Sequence, residues 1–350
     1  MNLDDPASFR SLDPQDLFSE IDGLPDQLGS AWELGKKFPL PFWQGLKQVV
    51  IAGMGGSAIA ADLLTASLHT TCKLPVFVHR DYGLPAWATG PETLLIASSH
   101  SGNTEETLDS YETGIRNGCR LIQITTGGRL AERAARIDAP SWQFVHTSQP
   151  RTAVGFSFAL LLAIFYRLGL IPDPTSDLLS TLAEMRTQKE KLDPRLPASQ
   201  NPAKRLAGQL VGRWVNVFGS DLLAPVARRW KGQMNELAKA AAGFESLPEL
   251  DHNTLAGISN PEGILSRTVT IFLRSGSDHP RNQLRSQLTQ QTFMLSGLNT
   301  QDYTAPGQIP LASQWCALHF GDYLAYYLAM AYGEDPSPIP SIQDFKQLLA

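Results

Sequence analysis

The sequence predicts an α/β protein built from two sandwich domains, each with a parallel β-sheet flanked by helices. Short apolar runs alternate with helical segments, as in "KQVVIAGMGGSAIAADLLTASL" and "CRLIQITTGGRLAERAARI". This alternation is typical of parallel sheets that are covered on both faces. The cycle of strand, Gly/Ser turn and helix then starts again at "GRWVNVFGSDLLAPVARRWKGQMNELAKA", which indicates a second domain.

The 350 residues are enough for two domains of ordinary size. Residues 1–45 carry apolar positions at helical spacing and predict a helical lead-in. Residues 46–170 form the first predicted sandwich domain, with strands expected in "KQVVIAG", "LPVFVH", "ETLLIASS", "CRLIQITT" and "SWQFVH". A helical bridge is expected over residues 171–208. The second sandwich domain, residues 209–350, has expected strands in "GRWVNVFG" and "SRTVTIFLR" and ends in a helix.

The composition excludes several classes of protein. Hydrophobic residues at 43% and charged residues at 18% are values of a folded globular chain. A net charge of −5 without a Lys/Arg cluster argues against a nucleic-acid partner. Cys72, Cys119 and Cys316 lack metal-ligand spacing and favour a reducing compartment. No signal peptide is recognised, and the apolar run Phe156–Tyr166 is too short to cross a membrane, so we expect a cytoplasmic protein with no membrane partner.

Two loops at predicted strand ends carry unusual chemistry. After the first strand, "GMGGS" places Gly55, Gly56 and Ser57 at the start of a helix. Glycines let backbone N–H groups approach an anion, and a helix N-terminus leaves such groups unpaired with partial positive charge. A dinucleotide site is the alternative, but "GMGGSA" does not fit GxGxxG in register and no acidic residue closes the second strand.

The second loop, "SSHSGNTEETL", places Ser99, Ser101 and Thr104 between a buried strand and a helix. Hydroxyls can donate to phosphate oxygens without adding charge. Helix capping is the alternative, but capping needs one hydroxyl and this loop offers three. Because the carboxyl ends of parallel strands meet at one edge of a sheet, the two loops predict a phosphate site there.

These motifs carry a resemblance to a known family. "SGNTEET" paired with "GMGGSA" resembles the sugar isomerase (SIS) domain, which binds phosphosugars with such a Ser/Thr loop. "QPRTA", "MNELAKAAAGFESLPELDHNTLAG" and "GDYLAYYLAMAYGEDPSPIPSIQDFK" resemble the bifunctional phosphoglucose/phosphomannose isomerases, in the right order and over nearly the whole chain past residue 45. The departures are His100, where an aromatic such as Tyr is expected, and Ala58, where Gly is common.

The resemblance implies an isomerase of glucose 6-phosphate, fructose 6-phosphate and mannose 6-phosphate that passes through a cis-enediol(ate). It assigns Glu236 as the base, Arg151 as the cation that stabilises the enediolate, and Lys346 as an aid to ring opening. It assigns ring opening to His252, contributed from the neighbouring subunit of a homodimer. From the residues alone, Glu236 is rather expected to be a solvated helix glutamate, and Arg151 and Lys346 are expected to be surface cations. His252 could equally be a polar turn residue.

We expect no cofactor and no metal. The other histidines lack metal-ligand spacing and are expected to be structural: His69, His79, His146, His279 and His319. A catalytically silent SIS-type phosphosugar-binding regulator is the main rival, but it needs only the phosphate loops and not the catalytic set. An amidotransferase-type aminosugar isomerase is a third interpretation, and no glutaminase segment supports it.

Overall fold

A computed structural model describes residues 2–349, which form fourteen α-helices and nine β-strands. The strands are β1 (Gln48–Ala52), β2 (Val76–His79), β3 (Thr93–Ser99), β4 (Arg120–Thr125), β5 (Ser141–Gln143), β6 (Trp214–Ser220), β7 (Ala242–Leu247), β8 (Thr268–Arg274) and β9 (Asn299–Thr304). The helices are α1 (Pro6–Leu12), α2 (Leu17–Asp22), α3 (Leu24–Gly35), α4 (Gly55–Leu68), α5 (Glu105–Arg116), α6 (Gly128–Arg136), α7 (Val154–Arg167), α8 (Thr175–Lys189), α9 (Pro202–Leu210), α10 (Ala224–Glu236), α11 (Glu262–Leu265), α12 (Pro280–Leu295), α13 (Pro310–Tyr332) and α14 (Pro340–Leu349).

The chain divides into two compact units. The first unit comprises Gly23–Leu182, and the second comprises the residues up to Asp22 together with those from Ala183 onward. The residues expected to form a helical lead-in are thus shared between the units. The predicted fold class, α/β with parallel sheets flanked by helices, is confirmed.

The first unit contains a five-stranded sheet in the order β2-β1-β3-β4-β5. All neighbouring strands are parallel, with Ile51 opposite Ile96 and Ile96 opposite Ile122. Every residue of β3 is buried, as expected for a central strand covered on both faces. The five strands predicted from the apolar runs are all present.

The apolar helix predicted around residues 156–168 is α7, which packs against α3 and α4 of the same unit. Most of its residues are buried, so its apolar composition serves the core. Within residues 2–349, we find no helix that combines the length and the apolar character required to span a bilayer.

The second unit contains a four-stranded parallel sheet in the order β7-β6-β8-β9. The sequence predicted β6 and β8 but neither β7 nor β9, which are the two edge strands. The apolar helix α13 lies in the core of this unit, and its residues from Ala312 to Met330 are buried. It packs against α10 and α9, and so fixes the helix that ends at Glu236.

Candidate functional site

The glycine-rich loop after β1 lies against the end of β3. A Cβ atom at Gly53 would lie 2.7 Å from the Ser98 backbone oxygen, so only glycine fits there without a shift. Gly55 adopts φ +50° and is the first residue of α4. The first N–H groups of a helix have no intrahelical partner and carry partial positive charge. The loop therefore places the unpaired N–H groups of a helix start at the carboxyl edge of the sheet.

The hydroxyl loop after β3 is fixed by a glycine that no other residue can replace. Gly102 has φ +65°, and a Cβ atom there would lie 1.9 Å from the Gly127 backbone oxygen. Ser99 Oγ and Thr104 Oγ1 are 2.9 Å apart. Thr104 is the residue that precedes α5, but its side chain makes no capping hydrogen bond. Two of the hydroxyls, those of Ser99 and Thr104, therefore face one another, whereas the exposed Ser101 Oγ accepts from Asn103 N–H at 3.2 Å.

Arg151 is buried beside the glycine-rich loop. It lies in a short 3-10 turn, Pro150–Thr152, and is only 4% exposed. A Cβ atom on Gly56 would lie 3.0 Å from the Pro150 backbone oxygen and 3.5 Å from Arg151 Cα. Gln27 Nε2 donates to the Thr152 carbonyl at 2.9 Å and holds the far side of the turn. A buried guanidinium thus belongs to the same part of the first unit as the two loops.

Glu236 is the last residue of α10 and is partly buried. Met234 and Leu237 on either side are fully buried. The helix ends in a turn in which Lys239 adopts φ +52° and Ala240 N–H donates to the Met234 carbonyl at 3.1 Å. Glu236 therefore has a well-defined position in the second unit.

His252 is exposed, but the turn that carries it is held firmly. It ends a 3-10 turn that begins at Glu249. The adjacent Asp251 carboxylate accepts hydrogen bonds from Arg285 Nη1 at 2.9 Å and Thr289 Oγ1 at 2.7 Å, both on α12. His252 therefore presents an exposed imidazole from a turn that is anchored to α12.

Lys346 lies on α14, all of whose described residues are exposed. Ile342, Phe345 and Leu348 are 43%, 60% and 86% exposed on the same helix. The helix thus carries apolar as well as charged side chains at its surface. A helix that served only solubility would not expose three large apolar side chains.

The second unit has loops equivalent to the glycine-rich and hydroxyl loops of the first unit, but its own carboxylates occupy them. They follow β6 and β8, the neighbouring central strands of that sheet. Asp221 accepts hydrogen bonds from His279 N–H at 2.9 Å and from the Asn282 side chain at the start of α12. Asp278 accepts from Ser275 N–H at 2.8 Å. The donors that would meet an anion are therefore used internally in this unit.

Burial raises the pKa of Asp278 to about 6, and this predicts a pH-dependent stability. The folded chain favours the protonated Asp278 carboxyl. The contribution of this carboxyl to the free energy of unfolding is therefore full below its ordinary pKa of 3.8 and is lost as the pH rises through about 6. Asp278→Asn cannot ionise, yet its amide oxygen can still accept from Ser275. We expect the free energy of unfolding of the variant to be roughly 2–3 kcal/mol higher than that of wild type near pH 8, and equal to it near pH 4.

Urea unfolding at a series of pH values measures this difference. Asp344→Asn, on the exposed helix α14, is the matched control, because it makes the same chemical change at a surface position. A constant difference between Asp278→Asn and wild type at all pH values would contradict the titration argument.

The two parallel sheets, with their loops after the central strands, define a protein of the SIS class. Residues 199–349 match the family model described as the bacterial phospho-glucose isomerase C-terminal SIS domain. The chain is 38% identical to the bifunctional phosphoglucose/phosphomannose isomerase of Caldicellulosiruptor bescii, over 95% of this chain and 99% of that protein. It is 32% identical to the protein of the same name from Aquifex aeolicus, over 96% and 98%. The chain belongs to the bifunctional phosphoglucose/phosphomannose isomerase family.

The fold is also similar to that of solved structures. A glucose-6-phosphate isomerase like protein from Thermus thermophilus has a TM-score of 0.64 and 20% identity, with 97% of this chain and 98% of that chain covered. At this identity the likeness concerns the fold alone.

Sequence reasoning treated His146 as structural and left the anchoring role of Asp251 unnoticed. Both act through partners far along the chain: His146 contacts His100, and Asp251 contacts α12. The one local signal is position, since His146 follows a strand and precedes Arg151, and Asp251 precedes His252.

Proposed function

We propose that the chain is an aldose–ketose isomerase that interconverts glucose 6-phosphate and fructose 6-phosphate and also accepts mannose 6-phosphate. Membership of the family supports the reaction class. The observation that carries the proposal is the burial of Arg151 directly against the glycine-rich loop. A phosphosugar sensor needs only the loops. A buried cation beside the bound phosphate suits an enzyme, because the sugar develops negative charge there during isomerisation.

The proposed reaction divides its tasks among the site residues. The substrate phosphate is held by the two loops of the first unit, through Gly55, Gly56, Ser57, Ser99, Ser101 and Thr104. Glu236 removes the proton from C2 of the open-chain aldose and returns it to C1. The Arg151 guanidinium stabilises the enediolate oxygens, because its charge is permanent and its donors are planar.

The same base can serve both epimers. Mannose 6-phosphate differs from glucose 6-phosphate only at C2, and the enediolate is planar at that carbon. Rotation about C2–C3 presents either face to Glu236, so a single carboxylate suffices. His252, assisted by Lys346, is proposed to open the sugar ring, since imidazole exchanges protons with oxygen near neutral pH.

A coupled assay of fructose 6-phosphate tests the proposal directly. Wild-type protein should convert glucose 6-phosphate and mannose 6-phosphate alike, in the presence of EDTA. Turnover of glucose 6-phosphate alone would restrict the proposal to one sugar. Binding of both phosphosugars without turnover would contradict it and favour the silent regulator.

We also propose that the enzyme is a cytoplasmic homodimer. Cys72, Cys119 and Cys316 are free thiols, which suits a reducing compartment. The His252 turn is anchored to α12, and this helix carries a stripe of exposed leucines. Leu284, Leu288 and Leu295 are 41%, 52% and 81% exposed. Large apolar side chains in one exposed stripe are typical of an interface. A second copy that covers this stripe would receive His252.

Mixed dimers test the shared site. We expect Glu236→Gln and His252→Ala to be inactive alone, but a heterodimer of the two, purified through different affinity tags, retains one intact site and about half of the wild-type activity. The matched control pairs Glu236→Gln with the double variant Glu236→Gln/His252→Ala, which contains no intact site. A heterodimer no more active than this control would show that His252 acts within its own subunit.

A further inference from the structure

Two histidines join the phosphate loop to the Arg151 turn. His100 lies between Ser99 and Ser101 of the hydroxyl loop, and its Nε2 is 2.9 Å from His146 Nδ1. His146 follows β5 and is five positions before Arg151. The two rings meet edge to face at 5.1 Å between centroids. The contact thus bridges segments that the sequence separates by 46 positions.

The direction of the hydrogen bonds follows from Thr152, the last residue of the hydrogen-bonded series that begins at His100. Thr152 Oγ1 donates its single proton to the Gln149 carbonyl at 2.8 Å. At 3.4 Å from His146 Nε2, it can therefore only accept from that nitrogen. A neutral His146 protonated on Nε2 has an unprotonated Nδ1, which accepts from His100 Nε2–H. The bonds run one way, from His100 through His146 to Thr152, the residue after Arg151.

Both ends of this hydrogen-bonded series, His100 and Thr152, are held by further hydrogen bonds within the first unit. The His100 carbonyl accepts from Thr126 N–H at 2.9 Å and from Thr126 Oγ1 at 2.7 Å. The Thr152 carbonyl accepts from Gln27 at 2.9 Å. A stacked pair, Phe144 and Phe156 with centroids 4.7 Å apart, packs beside the imidazoles. The histidines therefore act as a strut between two anchored segments.

His100 is neutral near pH 7. Burial, and to a smaller extent the proximity of the His146 ring, lowers the pKa of His100 to about 4. A neutral His100 can donate from one nitrogen without adding a charge that would compete with Arg151 for the substrate. Phenylalanine would fill the space at either position. At position 100 it could not donate to His146, and at position 146 it could make neither bond.

We propose that His100 and His146 are positioning residues that fix the Arg151 turn at a set distance from the bound phosphate. This inference rests on the proposed function, since it assigns the pair a task in stabilising the enediolate. The residues themselves do not touch the substrate. Their loss should shift the guanidinium while leaving the hydroxyl and N–H ligands of the phosphate in place.

Binding measurements test the pair without relying on turnover. The probes are inorganic phosphate and 5-phosphoarabinonate, whose carboxylate mimics the enediolate charge, with affinities measured by calorimetry. His146→Phe should bind 5-phosphoarabinonate about 10- to 100-fold more weakly, because small displacements of a positioned group have effects of this size. Its affinity for inorganic phosphate should stay within about twofold of wild type. The matched control is His69→Phe at an exposed position.

Further variants separate positioning from packing. His100→Gln, whose amide can donate to His146 Nδ1, should recover most of the affinity that His100→Phe loses. The double variant His100→Phe/His146→Phe should lose no more than the weaker-binding single variant, because one strut is broken in each case. Where His146→Phe does not fold, the comparison of His100→Gln with His100→Phe decides.

Three results would overturn the inference: unchanged 5-phosphoarabinonate binding in the folded variants, additive losses in the double variant, or equal weakening of both probes. In active protein, kcat should fall with the 5-phosphoarabinonate affinity. A wild-type protein that binds both probes but does not isomerise sugars would refute the proposed function, while the binding comparison still decides the role of the pair.

Discussion

Glu236→Gln is expected to lower kcat by about 10²- to 10⁴-fold on both glucose 6-phosphate and mannose 6-phosphate, the range that a positioned general base contributes. Glutamine keeps the shape of the side chain and can still form hydrogen bonds, but it cannot take a proton from carbon. The buried neighbours Met234 and Leu237 remain in place, so the fold should not change. Initial rates of fructose 6-phosphate formation measure the loss.

The affinity for substrate phosphate is expected to stay the same, because its ligands belong to other loops. Glu262→Gln, an exposed glutamate in the same unit, is the matched control and should retain wild-type rates. A Glu236→Gln protein with rates near wild type would remove this residue from the mechanism. Loss on one sugar only would require a second base.

Asp322→Asn should destabilise the second unit by about 3–5 kcal/mol, which is the cost of leaving one charge of a buried ion pair uncompensated. Arg229 on α10 donates to Asp322 on α13 through Nε at 3.1 Å and Nη2 at 2.8 Å, and both side chains are 4% exposed. The amide of asparagine carries no charge to balance the buried guanidinium. The transition of this unit in urea should move to a lower concentration.

The matched control is Arg195→Met, which removes a surface partner of Asp193. Arg195 is 82% exposed, and exposed pairs contribute about 0–1 kcal/mol. Equal losses from Asp322→Asn and Arg195→Met would contradict the account of the buried pair. Because Arg229 and Glu236 lie on the same helix, Asp322→Asn should also lower kcat before it unfolds the protein.

The fold could be predicted from the sequence where strands are buried on both faces. Central strands such as β3 are continuous apolar runs and are recognised at once. The missed strands, β7 ("AGFESL") and β9 ("NTQDYT"), are edge strands with mixed exposure. Their pairing depends on β6 and β8 beside them, so their own residues give little signal.

The candidate site was predictable in part for a similar reason. The glycine-rich and hydroxyl loops can be recognised from local sequence, because their glycines and hydroxyl residues lie within a few positions of one another. The contacts of His100 with His146 and of Arg229 with Asp322 join residues 46 and 93 positions apart, and no local pattern encodes them. The roles of Glu236, His252, Arg151 and Lys346 come from the family resemblance and stay predictions until variants are measured.

Isomerisation in D₂O, followed by NMR, tests most directly whether proton transfer through an enediolate underlies the activity. The account predicts that wild-type protein places deuterium on C1 of fructose 6-phosphate formed from either sugar, and on C2 of the recovered aldose, because a carboxylate base exchanges its proton with solvent between turnovers. Conversion that leaves both carbons free of deuterium after many reversible cycles would indicate direct hydride transfer. That result would contradict the role of Glu236 as the base.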